Sequence, residues 1–118
     1  MIQCKRVYET TEESDGYRVL VDRLWPRGIK KADLIMDEWN KAITPSTELR
    51  KWYHANRDQF PVFKAMYLAE LEENQEAWLP LISKIQNETV TLLTAEKDPE
   101  NQHAGILKAF LIQKAQEQ

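Results

Sequence analysis

The feature that most limits the fold is a short unbroken apolar run, Val19-Leu20-Val21, between the polar residues of segment 17–23. A strand with one face in water alternates apolar and polar side chains. A run apolar on both faces calls for a strand covered on both sides, as in a parallel sheet with helices packed over it. Residues 89–94, Thr-Val-Thr-Leu-Leu-Thr, form a second such segment, rich in β-branched residues. Residues 2–8 read as a further short strand. The polar loop between the first two strands in chain order, residues 9–16, ends in an Asp15-Gly16 turn signal and is expected to face solvent.

From residue 44 onward the apolar period becomes helical. Leu49, Trp52 and Tyr53 fall at i, i+3, i+4 behind a Thr44-Pro45-Ser46 start, with Pro45 expected in the first turn. Phe60, Phe63, Tyr67, Leu68 and Leu71 mark a second helix. Trp78, Leu81, Ile82 and Ile85 mark a third, where Pro80 predicts a start near Leu79 or a kink. Asp98-Pro99 opens a last helix carrying His103, Leu107, Phe110 and Leu111 on one side, with Asp98 as its expected N-cap. Residues 30–43 are compatible with a short helix or a further strand. Strands interleaved with helices predict an α/β fold: a single layered domain over residues 1–118, with a small, largely parallel sheet covered by helices. A chain of 118 residues buries enough surface to hold such a core unaided.

Composition excludes several classes. The lone Cys4 rules out an internal disulfide framework. No run approaches the ~18 apolar residues of a membrane span, and the first residues carry no signal-like apolar stretch, so a cytoplasmic protein without membrane contact is expected. His54, His103 and Cys4 show no metal-ligand spacing, and three glycines cannot build a phosphate loop of the Walker or dinucleotide type. No cofactor is therefore expected. The net charge of −3 hides an uneven distribution. Residues 1–64 carry 12 Lys and Arg against 10 Asp and Glu, residues 65–118 carry 4 against 9, and all six arginines lie in the first half.

In open α/β sheets, ligands bind beyond the carboxyl ends of the strands, so a Rossmann-like site is expected there. Two strand exits carry chemistry. The first, residues 22–31, holds Asp22, Arg23, Trp25, Arg27, Lys30 and Lys31, stiffened by Pro26 and bent at Gly28. Guanidinium forks suit phosphate or carboxylate, while Asp22, Asp33 or Glu96 offers the alternative of a structural ion pair. Trp25 either stacks on a ring or plugs the core. The second exit, residues 95–103, holds Glu96, Asp98 and His103. His103 shares its stripe with core residues, which suits either a hydrogen-bonded core histidine or a general acid/base partnered by Glu96 or Asp22. A third element, Ser46 with Arg50 and Lys51, offers hydroxyl and free N–H groups at a helix start, for an anion or simply for capping.

Three blocks together are similar to the YeaO-like family of bacterial proteins (domain of unknown function, number 488). They are residues 17–28, Tyr-Arg-Val-Leu-Val-Asp-Arg-Leu-Trp-Pro-Arg-Gly; residues 45–52, Pro-Ser-Thr-Glu-Leu-Arg-Lys-Trp; and the segment from Val90-Thr91-Leu92-Leu93 to His103-Ala104. The resemblance implies pairing of the two exits, with Asp22, Arg23, Arg27, Glu96 and His103 on matching positions. The chain departs from its relatives in having Gln102 where Asn is frequent before the His. It also lacks the thiols that longer members carry near Thr94 and beside the His.

Three functions are compatible with this pattern. The leading one is an Arg-lined pocket for a phosphate-bearing or other anionic small molecule, with His103, Glu96 and Asp22 as the acid/base groups if there is catalysis. In it Arg23, Arg27, Arg50, Ser46, Lys51 and Trp25 hold the ligand. The second is RNA binding through the basic exit, with Trp25 and Trp52 stacking on bases. The third is a non-catalytic interaction module, monomer or homodimer, in which the arginines pair with the acidic second half.

Overall fold

A computed structural model describes residues 1–117 and shows an α/β domain. Its sheet has four strands, β1 (Ile2–Arg6), β2 (Tyr17–Leu20), β3 (Glu38–Trp39) and β4 (Val90–Thr94), in the order β1-β4-β2-β3. All pairings are parallel. Ile2 lies opposite Val90 and Arg6 opposite Thr94 on one flank of β4, and Tyr17 opposite Val90 and Leu20 opposite Leu93 on the other. The carboxyl ends of β1, β4 and β2 therefore stand side by side. Four helices complete the fold: α1 (Thr47–Ala55), α2 (Phe60–Glu73), α3 (Gln75–Asn87) and α4 (His103–Glu117). Among the described residues no helix is long and apolar enough to cross a membrane.

The period-two alternation of the strands sorts the side chains into two unlike layers. Ile2, Val19, Val21, Val90 and Leu92 join buried residues of all four helices in the main core. Leu20, Leu93 and Val7 point the other way and are covered by Leu34, Trp25, Ile29 and Met36 from the segment after β2 and by Trp39 of β3. Helices thus cover one face only, and the second cover is built from the 21–39 connection. Covering both faces is what leaves Val19, Leu20 and Val21 with no exposed surface.

The loop expected to face solvent turns partly inward on this second face. Asp15 is buried between Lys5 of β1 and Arg18 of β2, both themselves buried. Lys5 Nζ donates to both Asp15 carboxylate oxygens at 3.1 and 3.2 Å, and Arg18 also donates from Nε to the Ile35 carbonyl at 2.7 Å. Burial alone would raise the Asp15 pKa. The Glu12 backbone N–H and the two cations outweigh burial and hold its carboxyl below the usual range. Gly16 follows at φ +64, where a Cβ would lie 2.2 Å from the Thr89 carbonyl oxygen.

Local expectations shift at several points. The 30–43 stretch contains β3, whose two residues are too short to show a period. The third helix begins at Gln75, so Pro80 lies inside it and not at its start. Pro45 precedes α1, whose N-cap is Ser46. Asp98 does not cap α4. It sits at φ 53 before a short 3-10 turn, Pro99–Asn101, and α4 starts only at His103. Gly105 lets that turn pack on α4, because a Cβ there would sit 2.0 Å from the Glu100 carbonyl oxygen.

Candidate functional site

Because β2 and β4 are parallel neighbours, the two loaded exits leave the sheet at the same edge. Asp22 bridges them. Its carboxylate accepts from Thr94 Oγ1 at 2.6 Å and from the Ala95 backbone N–H at 2.7 Å. His103 Nε2 lies 3.3 Å from Asp22 Oδ1 and 2.7 Å from the Val21 carbonyl oxygen. Only an N–H can approach a carbonyl that closely, so Nε2 carries a proton. Burial opposes charge on Asp22, but the hydrogen bonds from His103, Thr94 and Ala95 prevail and hold its pKa below the ordinary carboxylate value. The ring of His103 also meets the edge of buried Tyr67, 6.5 Å centre to centre.

A cleft of about 900 Å³ opens beyond this pair, between the carboxyl edge of the sheet and α1. From the sheet side come Arg6 at the end of β1 and Tyr8 beyond it, the 22–27 segment after β2, the 95–97 segment after β4, and Gln102 and His103. From the helix side come Thr47, Arg50, Lys51 and His54, spaced i, i+3, i+4, i+7 along one stripe, followed by Arg57. The opposite stripe of α1 carries Leu49 into the core, with Trp52 packed against it, so core burial itself turns the cationic stripe outward. Arg23 joins the two sides where they meet, donating from Nε to the Pro45 carbonyl at 3.2 Å.

Five of the six arginines line this cleft, with Lys51 and Lys97, against only two carboxylates, Asp22 and Glu96. The sixth, Arg18, is the one buried with Asp15. Among the described residues none of the seven cleft cations pairs with an acid. Arg6 donates to the carbonyls of Ala95 and Glu96 at 3.2 and 3.3 Å and lies over the Tyr8 ring. Arg57 lies over the Tyr53 ring. The alternative of structural ion pairs from Arg23 or Arg27 to Asp22, Asp33 or Glu96 is not realised among the described residues.

The expected site residues are placed unevenly. Asp22, Arg23, Trp25, Arg27, Arg50, Lys51, Glu96 and His103 all line the cleft. Glu96 is not the partner of His103. Its side chain is exposed and takes no hydrogen bond among the described residues, and Asp22 holds the histidine instead. Ser46 does not serve the cleft. Its hydroxyl accepts from the Leu49 N–H and donates to Glu70 Oε2 at 2.5 Å, while its backbone N–H donates to Glu70 Oε1 at 2.9 Å. The anion expected at this helix start is therefore Glu70, from within the chain.

Trp25 is half-buried, edge-on to Trp39 at 5.4 Å, with Nε1 donating to the Ile29 carbonyl at 2.6 Å. Trp52 packs against the core, and Lys30 and Lys31 lie outside the cleft. Sequence reasoning missed Arg6, Lys97, His54 and Arg57. Extending the strand-exit rule to β1, and the α1 stripe one more turn, would have reached most of them. Cys4 packs beneath α4, with its thiol hydrogen donated to the Ala104 carbonyl at 3.4 Å. Burial and nearby Glu100 push its pKa up to about 12. No three His, Cys, Asp or Glu side chains gather as a metal site among the described residues.

The fold and the cleft define a small parallel α/β protein with an unneutralised cationic groove at its strand ends. The chain belongs to the YeaO-like family: residues 1–118 match the family model described as "Inactive DUF488-N3 subclade". It is 51% identical over 110 residues to Uncharacterized protein YeaO of Escherichia coli, covering 93% of this chain and 96% of that protein. It is 40% identical over 111 residues to Uncharacterized protein Mb3100c of Mycobacterium bovis and to Uncharacterized protein Rv3073c of Mycobacterium tuberculosis, covering 93% of this chain and 92% of each. No solved structure matches the chain significantly.

Proposed function

We propose that the protein binds a phosphate-bearing small molecule in the cleft between α1 and the strand ends, without turning it over. The observation that carries this reading is the set of seven Lys and Arg side chains around one concavity, none paired with an acid among the described residues. Cations gathered without counter-charge repel one another, a cost that a bound anion removes. The cleft volume lies within the ~300–1,000 Å³ range of small-molecule sites.

Binding without turnover agrees with the groups on hand. The Thr94 and Ser46 hydroxyls are committed to Asp22 and Glu70, and the Cys4 thiol is held protonated under α4. The word "inactive" in the description of the matching family model points the same way. In this reading the Asp22–His103 pair ties the two strand exits together at the floor of the cleft.

A thermal-shift screen of nucleotides and phosphosugars tests the proposal, run in parallel on wild type and Arg27→Ala. A ligand at a hundred times its Kd contributes about 2.7 kcal/mol, roughly 10 °C for a chain this size. Wild type should shift with at least one phosphorylated compound, and Arg27→Ala should shift much less. A broad panel that leaves wild type unmoved refutes the pocket.

A further inference from the structure

The cations of the cleft stand on two separate walls. Arg6 ends β1, and Arg27 and Lys97 follow β2 and β4, whereas Arg50, Lys51 and Arg57 belong to α1 and its end. Arg23 marks the seam, tied to the Pro45 carbonyl where the walls meet. Aromatic and apolar surface from Tyr53, Phe63 and Trp25 lies along the same cleft. A single phosphate, at most about two negative charges, leaves most of these cations uncompensated and most of a 900 Å³ space unfilled.

Building on the phosphate-binding reading, we propose that the ligand is a bisphosphorylated small molecule, one phosphate on the strand-exit wall and the other on the α1 wall, its middle lying against the aromatic floor. Two-point attachment gives a use to the cationic stripe that α1 presents to the cleft, since the strand exits already supply enough donors for one phosphate. Glu70 and Tyr67 of α2 serve the same end. They hold residues 43–46, and with them the start of α1, through hydrogen bonds to Ser46 and to the Ile43 carbonyl.

Calorimetric titration with matched pairs tests the inference: glucose 1,6-bisphosphate against glucose 6-phosphate, and adenosine 3′,5′-bisphosphate against adenosine 5′-monophosphate. At least one bisphosphate should bind about tenfold or more tightly than its monophosphate. Arg27→Gln and Arg50→Gln, on opposite walls, should each reduce it to near monophosphate affinity. Thermal melts of both variants confirm that they are folded. Equal affinity within both pairs, or sensitivity to one wall alone, overturns the two-point site while leaving the phosphate-binding reading intact. Failure of all four compounds, with no phosphorylated ligand found in the wider screen, overturns both.

Discussion

Replacing Arg50 with glutamine separates a ligand-binding cation from a structural one, because the two roles predict opposite signs for stability. Arg50 is exposed on the cleft stripe of α1 and has no hydrogen bond or ion pair through its side chain among the described residues. Glutamine keeps nearly the same helix propensity and loses the charge. Six other Lys and Arg side chains and two carboxylates line the cleft, a net four positive neighbours for Arg50. At separations of ~10 Å each like pair repels by about 0.4 kcal/mol in water, and screening at physiological ionic strength cuts that to roughly a third. Arg50→Gln should therefore stabilise the free protein by about 0.5 kcal/mol, or roughly 2 °C in Tm. The gain should approach twice that at low salt and vanish near 0.5 M salt. The same change removes a charge-assisted contact to the ligand, about 1.5–3 kcal/mol, so affinity should fall roughly 10- to 150-fold. Melting curves at three salt concentrations, with one ligand titration, read both numbers. A Tm that falls by several degrees regardless of salt would show that Arg50 holds the fold together and would refute the reasoning.

Three further outcomes follow from the contacts described. Asp15→Ala leaves Arg18 buried without a counter-charge and Lys5 with only the exposed Glu12, and denaturant unfolding should record a loss of about 3–5 kcal/mol. Glu70→Ala removes both hydrogen bonds to Ser46 and should lower stability by about 1–2 kcal/mol, with α1 amides exchanging faster by hydrogen exchange. Asp22 is held below its unfolded pKa of ~3.9, so the stability it contributes is present above that value and is lost as pH falls through its own lower pKa. Asp22→Asn should therefore be less stable than wild type at pH 7, the two converging in acid-unfolding curves as pH falls through the lowered Asp22 pKa.

Much of the fold was legible because the physics was local. The doubly apolar run at Val19–Val21 demanded two covered faces, and the helical stripes demanded a helical layer. What covered the second face was not legible. Leu34, Met36 and Trp39 show no period, and β3 spans only two residues. Asp15 read as part of a solvated loop because sequence gives no sign that Lys5 and Arg18 will close over it. At the site, the strand-exit rule found Asp22, Arg23, Arg27 and His103, since parallel neighbours open on one edge. It leaves Glu96 and Asp22 both open as the partner of His103. The register places Asp22 beside Thr94 and Ala95. The role of Ser46 was decided by Glu70, 24 residues away on another helix.

The central claim is that the arginines gathered at the strand ends await a phosphate. Crystals soaked with tungstate, a heavy phosphate mimic, test it most directly through anomalous difference maps. The account predicts a peak within hydrogen-bond distance of Arg23 or Arg27 and a second near Arg50 or Lys51. A cleft without peaks, with its arginines turned onto carboxylates of this chain or of a second copy, would contradict it.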